Sequence, residues 1–250
     1  MHGFNGRAYI VTGGSDGIGL AAVRLLVERD ARVMIADVDV ERGEAAVASI
    51  GSAARFIRTD ISSEEDVKAM VAATVAAFGQ LDGALNNAGT STSIKKLHEI
   101  DLAVWQRLHA VNLTGTFLCM KYEIAQMLTS GGGAIVNTAS IAGLVGVKQT
   151  GEQTAAKHGV AGLTKVAALD YGLDNIRVNA IAPGSTLTKT YAGSLEKQAK
   201  QGLPHIEAGI PMGRAAQPSE LAEAAVWLLS DASSFVTGVI VPVDGGYTAL

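Results

Sequence analysis

Seven short apolar runs, each separated from the next by enough chain for a helix, constrain the fold more than any other feature. They fall at about Ala8–Val11, Arg32–Ala36, Ala54–Thr59, Gly83–Asn86, Ala134–Thr138, Arg177–Ile181 and Val239–Pro242, flanked by Gly, Asp or Asn. Between them Val67, Met70, Val71, Val75 and Phe78 recur with a helical period, as do Leu221, Ala225, Leu228 and Leu229. The alternation predicts an α/β chain: a doubly wound, seven-stranded parallel sheet with helices on both faces. Ser62 or Ser63 ahead of Glu65 or Asp66 opens a helix at about 64–78, and Pro218-Ser219-Glu220 opens one at about 219–230. Long helices are expected at about 101–129 and 153–171. From about Thr186 to Arg214 the alternation breaks, with two prolines and a short helical patch near Ser194–Gln201. An insertion there is placed to cover a ligand crevice.

Composition narrows the class. A length of 250 residues with 48% hydrophobic and 18% charged side chains predicts one large domain over residues 1–250, with apolar surface left to bury between subunits. A net charge of −4 and no basic stripe argue against a nucleic-acid partner. No apolar run approaches the roughly 20 residues that span a bilayer, and Met1 to Arg7 lacks the pattern of a secretion signal. A single cysteine, Cys119, excludes an intramolecular disulfide and fits a reducing compartment, so the expected location is cytoplasmic. The expected partners are small molecules and sister subunits.

Directly after the first run comes Thr12-Gly13-Gly14-Ser15-Asp16-Gly17-Ile18-Gly19, opening a helical segment with Ala21, Ala22, Leu25 and Leu26. Glycines let the backbone approach a pyrophosphate, and the helix start offers unpaired N–H groups and partial positive charge to receive it. Asp37 ends the second run, where a carboxylate accepts hydrogen bonds from ribose hydroxyls and repels a 2′-phosphate. Neither Val38 nor Gly14-Ser15 supplies a cation to hold such a phosphate, so NAD is expected over NADP.

The turn has the spacing Gly-x-x-x-Gly-x-Gly, Asn86-Asn87-Ala88-Gly89 ends the fourth run, and Pro183-Gly184 closes the sixth. Ser140 precedes position 153 by thirteen residues, and Lys157 follows it by four. In these motifs, spread over essentially its whole length, the chain resembles the short-chain dehydrogenase/reductase family, which implies a Rossmann-type fold and a homotetramer. The resemblance assigns Gly13, Ser15, Asp16, Gly17, Ile18 and Gly19 to the cofactor's phosphates and Asp37 to its adenosine ribose. Asp60 and Ile61 would border the adenine, Asn87, Ala88 and Gly89 the inner ribose, and Pro183, Gly184, Thr186 and Thr188 the nicotinamide carboxamide.

In such a site a serine orients the substrate oxygen, a tyrosine transfers the proton, a lysine lowers the tyrosine pKa and binds ribose, and an asparagine holds a relay water. Ser140, Lys157 and Asn112 fit these roles, but Gln153 stands where the tyrosine belongs. A primary amide donates a hydrogen bond yet shuttles no proton. The expected function is therefore an NAD(H)-dependent secondary alcohol/ketone oxidoreductase slowed by Gln153. The alternatives are a cofactor-bound, non-catalytic binding protein or a specialised site whose substrate assists proton transfer. Tyr122 and Tyr171 read as packing residues, and His158 as a helix residue. Thr90, Ser91, Thr92 and Ser93 should line the pocket. Lys95 and Lys96, with Lys148 and Lys189, are weighed as an anion site against plain solvated surface.

Overall fold

The chain's second strand pairs with its first on one side and its third strand beyond that; the fourth strand then returns to the opposite side of the first. The structure, a computed structural model, describes residues 3–200 and 209–249, without the side chains of Thr190, Ser194 and 197–200. Its strands are β1 (Ala8–Thr12), β2 (Arg32–Asp37), β3 (Ala54–Arg58), β4 (Gly83–Asn86), β5 (Gly133–Thr138), β6 (Ile176–Pro183) and β7 (Ile240–Val243). They form one parallel sheet in the order β3-β2-β1-β4-β5-β6-β7. The reversal between β1 and β4 leaves a crevice beyond their carboxyl ends, where open α/β sheets bind ligands.

Period-two alternation fills both faces. From β1, Tyr9 and Val11 join the layer that includes Val23, Leu26, Leu221 and Val226, on α1 (Gly17–Glu28) and α8 (Pro218–Leu229). Ala8 and Ile10 join the opposite layer with Met70, Cys119 and Met127, from α3 (Glu64–Phe78) and α5 (Thr116–Ser130). Both faces of β1 and β4 are buried, which is why these strands read as continuous apolar runs. α2 (Val40–Ile50) covers β3 through Gly43, whose Cα side is filled by the Phe56 ring.

The helix starts follow the chain's chemistry. Ser63 Oγ accepts from Asp66 N at the start of α3, and Pro218 occupies the first turn of α8 with Glu220 reaching back to Gln217 N at 2.8 Å. Two expectations require correction. The helix expected over 101–129 is α4 (Leu102–His109) and α5 joined by a π-helical turn, Ala110–Gly115. That wide turn coincides with a close approach, because a Cβ on Gly115 would stand 2.8 Å from Ile61. The patch near Ser194–Gln201 belongs to α7 (Lys189–Lys200), which starts five residues earlier because Thr188 Oγ1 accepts from Tyr191 N at 3.1 Å. Gln201 and residues 202–208 of the expected insertion lie outside the described residues.

Candidate functional site

The turn after β1 is shaped by what glycine lacks. Gly13 has φ +62°, and a Cβ there would stand 2.9 Å from Ala88 Cα; a Cβ on Gly19 would stand 2.1 Å from Gly13 O. The turn is thus pressed against the loop after β4 and against the start of α1. Thr12 Oγ1 accepts from Asn87 N (2.9 Å) and Ala88 N (3.1 Å), and Asn87 Nδ2 donates to Thr12 O and Gly13 O. Asp16 caps α1 through Gly17 N at 2.8 Å. The result is a rigid helix start facing a cleft of about 700 Å³.

Gly13, Ser15, Asp16, Gly17, Ile18, Asp37, Asp60 and Ile61 line one end of that cleft. Asp37 Oδ2 accepts from Ser15 N (3.2 Å) and Ser15 Oγ (2.6 Å), which anchors the carboxylate and leaves lone pairs for hydroxyl donors. Asp60 Oδ1 accepts from the Ser62 amide and hydroxyl, while Ile61 is buried in the core layer behind the cleft. Gly19 lines no part of the cleft and acts through packing. Val38 and Gly14-Ser15 supply no cation, as expected, but Arg42, at a position the sequence reading did not weigh, lines the cleft as well. Sequence distance hid it, since the first turn of α2 folds back toward α1. Its guanidinium is already paired with Asp16 (3.3 Å) and Asp39 (3.2 Å).

Asn87, Ala88, Gly89, Pro183, Gly184, Thr186 and Thr188 line the middle and the far wall. Residues 185–187 are stitched to Ala216 by two backbone hydrogen bonds of 2.9 Å. Lys189 Nζ pairs with Asp16 at 3.3 Å, so the start of α7 lies over the start of α1. Tyr191 also lines the cleft, a residue that sequence reasoning passed over because no motif marks it.

At the opposite end, α6 (Gly151–Tyr171) brings Gln153 and Lys157 to the cleft one helical turn apart, facing Ser140 and Thr138. Gly143 packs against the Lys157 carbonyl and sets the Ser140 turn on α6; Ser140 Oγ accepts from Ala142 N at 3.2 Å. Lys157 is buried, donates to Thr138 O at 2.6 Å, and has its pKa pushed down to about 8 by burial alone. That lowered value brings the Lys157 amine into the range where it can exchange a proton, which the sequence alone does not reveal. Among the described residues, the Gln153 side chain makes no hydrogen bond.

Asn112 lies in the π turn, buried, and does not line the cleft. Its Oδ1 accepts from Thr90 N (2.8 Å) and its Nδ2 donates to Thr90 O (2.9 Å), so the amide clamps the loop beside Gly89. Tyr122 donates to the Glu64 carboxylate on the α3–α5 surface, and Tyr171 packs against the core. His158 bonds Thr154 O one turn back. Thr90, Ser91 and Thr92 line the cleft; Ser93 instead turns to Glu152. Lys95 pairs with Asp101 at 2.8 Å, and neither Lys95 nor Lys96 reaches the cleft. Among the described residues no group of three His, Cys, Asp or Glu side chains could hold a metal, and no helix is long and apolar enough to cross a membrane.

Residues 13–248 match the family described as Enoyl-(Acyl carrier protein) reductase. The chain is 52% identical over 252 residues to the 2,5-dichloro-2,5-cyclohexadiene-1,4-diol dehydrogenase of Sphingobium indicum, covering 100% of both. It is 45% identical to the cis-4-hydroxycyclohexanecarboxylate dehydrogenase of Sinomonas cyclohexanicum, covering 99% of this chain and 98% of that one. Among solved structures, NAD+-bound xylitol dehydrogenase superposes with a TM-score of 0.93 at 35% identity, covering 98% of this chain and 100% of the other.

Proposed function

Because the chain belongs to the short-chain dehydrogenase/reductase family, we propose that it is an NAD(H)-dependent oxidoreductase interconverting a ring-borne secondary alcohol and its ketone. In this reading Gln153 occupies the place of the family's proton-transferring tyrosine. The observation that carries the reading is a single cleft with a glycine-cradled helix start and Asp37 at one end and Ser140, Gln153 and Lys157 at the other. A bound nicotinamide gives or takes the hydride. The chain's residues do the rest. The Gly13–Gly19 turn receives the pyrophosphate, Asp37 accepts from the adenosine ribose, and Asp60 and Ile61 border the adenine. Asn87 to Gly89 and Lys157 hold the inner ribose, while Pro183, Gly184, Thr186 and Thr188 meet the carboxamide. Ser140 donates onto the substrate oxygen as charge builds there.

The residues fit a dinucleotide, and the xylitol dehydrogenase named with NAD+ supports that choice. The ring-alcohol class rests on the two relatives, whose names describe hydroxyl-bearing six-membered rings; both are dehydrogenases, which favours an oxidoreductase over a binding-only protein. Asn112 is assigned as the clamp that keeps the Gly89–Thr90 loop in place and so supports the relay indirectly.

Gln153 is neutral throughout the working pH range and cannot exchange a proton. A positioned acid or base contributes roughly 10²- to 10⁴-fold, so turnover should be slow while cofactor binding persists. The test compares the chain with Gln153→Tyr on cyclohexanol and NAD+. The variant should raise kcat by at least about 10²-fold with little change in KM. A variant no faster than the unmodified chain would overturn the assignment of Gln153 and favour a site in which the amide itself serves the substrate.

The 250 residues act as one domain, in the cytoplasm, as a homotetramer. Exposed Val166, Leu169 and Leu173 on and beyond α6, and Phe235 and Val239 ahead of β7, support two separate subunit contacts related by closed symmetry. Light scattering that reports a monomer at micromolar concentration would contradict this.

A further inference from the structure

Glu152 precedes Gln153 in the first turn of α6, and its side chain is fully buried. Apart from its own backbone N–H, no group of its own helix among the described residues holds the carboxylate. Its Oε1 instead accepts three donors from a loop about sixty residues earlier: Thr92 Oγ1 at 2.9 Å, Ser93 N at 2.7 Å and Ser93 Oγ at 2.7 Å. Its Oε2 is buried with no partner among the described residues. Burying a carboxylate is costly unless hydrogen bonds repay it, and here they converge on one oxygen. Although desolvation is the largest influence and would raise the pKa, the Ser93 donors, its own backbone N–H and the Thr92 hydroxyl together hold it below its ordinary value.

The same junction carries unusual backbone. Ile94 (φ +56°) and Gln149 (φ +62°) both lie in the left-handed region, and Lys95 N donates to Gln149 O at 3.2 Å between them. A β-branched residue in that region costs on the order of 1–3 kcal/mol and persists only where its surroundings over-determine it. Thr92 meanwhile lines the cleft.

We infer that Glu152 is a positioning residue: its carboxylate latches the Thr92–Ser93 wall of the cleft onto the turn of α6 that carries Gln153, and so fixes the width of the substrate end. This rests on the proposed alcohol/ketone function for its substrate readout. Thr90 is held separately by Asn112, and the cofactor end by Thr12 and Asn87, so loss of the latch frees the substrate wall alone.

The experiment compares Glu152→Ala and Glu152→Gln, each with Gln153 retained and with Gln153→Tyr, using cyclohexanol and NAD+, NADH fluorescence titration, and hydrogen exchange at Thr92 and Ser93. Glu152→Ala should raise KM about tenfold or more, with kcat changed less than about threefold and NADH affinity less than about twofold. Glu152→Gln, which keeps an oxygen acceptor, should recover most of the loss. An unchanged KM, or KM, kcat and NADH affinity worsening together in Glu152→Ala, would overturn the inference. Should Glu152→Ala fail to fold, Ser93→Ala removes one donor and should raise KM about threefold, and no rise would be equally decisive against it. If no form turns over the alcohol, the substrate reading fails, and the latch is judged by exchange alone. Faster exchange in Glu152→Ala but not in Glu152→Gln supports it, and equal exchange refutes it.

Discussion

Replacing Glu123 by Gln should stabilise the protein at alkaline pH and leave it nearly unchanged in acid. Glu123 projects from α5 into the core beside Asn86 and Asn137, paired neighbours at the ends of β4 and β5. Asn86 Nδ2 donates to Glu123 Oε2 (2.9 Å) and Asn137 Oδ1 (3.1 Å), and Asn137 Nδ2 donates to Thr164 Oγ1 (3.0 Å). Two buried oxygens, Asn86 Oδ1 and Glu123 Oε1, are left without a donor. A proton on the carboxyl supplies one. Burial raises the Glu123 pKa from 4.5 to about 7, against a smaller lowering by Asn86. The folded state therefore keeps a proton that the unfolded chain sheds, an advantage complete below pH 4.5 and lost as pH rises through about 7. At about 1.4 kcal/mol per unit, the shift corresponds to about 3 kcal/mol between acid and alkali. A glutamine amide at this position would supply the N–H permanently. Thermal denaturation of both proteins at pH 5 and pH 8 isolates this group, because all other titrations cancel in the double difference. The expected double difference is about 5–10 °C in favour of Glu123→Gln at pH 8, since part of the advantage is already lost at pH 5. Equal shifts at both pH values would refute a protonated Glu123.

Asp37→Ala should shift the NADPH-to-NADH affinity ratio toward NADPH by about tenfold or more, since a like-charge contact is removed while Arg42 remains; fluorescence titration of the unmodified chain showing equal affinities would contradict the premise. Residual alcohol oxidation by the unmodified chain should climb between pH 7 and 9 with a midpoint of about 8, because the Lys157 amine is neutral, and able to accept a proton, only above that value. A flat pH–rate profile would exclude it. Asn112→Ala strips both partners from the Thr90 backbone and should cost about 1–3 kcal/mol in chemical denaturation, with smaller effects denying Asn112 its clamping role.

Alternation and glycine chemistry made the sheet, the Gly13–Gly19 turn and Asp37 legible in the sequence, because each depends on neighbours a few residues away. The strand positions matched within two residues for the same reason. What escaped detection depends on distant partners. Arg42 reaches the cleft only because α2 folds back on α1, and Glu152 looks like any acidic residue in a first helical turn until Thr92 and Ser93 are seen beside it. The π turn brings Gly115 against Ile61, a distant approach that no local pattern records. Lys95 and Lys96 read as a cationic pair, but an aspartate six residues from Lys95 draws it away from the cleft.

The two halves of the cleft differ in the strands that seat them. Residues 13–89 build the half beneath Asp37 from the first four strands. The turn at Pro183–Gly184, by contrast, is seated on β7: Gly184 N donates to Val243 O at 3.1 Å, and a Cβ on Gly184 would stand 2.9 Å from Asp244 Cα. Met212 N in turn donates to Gly245 O. The half beneath Asp37 is not free-standing, because Val11, Val23 and Leu26 beneath it pack with Leu221 and Val226 of α8. The Pro183–Gly184 wall depends in addition on the last strand. A chain lacking the residues from 240 on would lose the seat of its Pro183–Gly184 wall, so a segment remote in sequence is as much a part of the cleft as the Gly13–Gly19 turn.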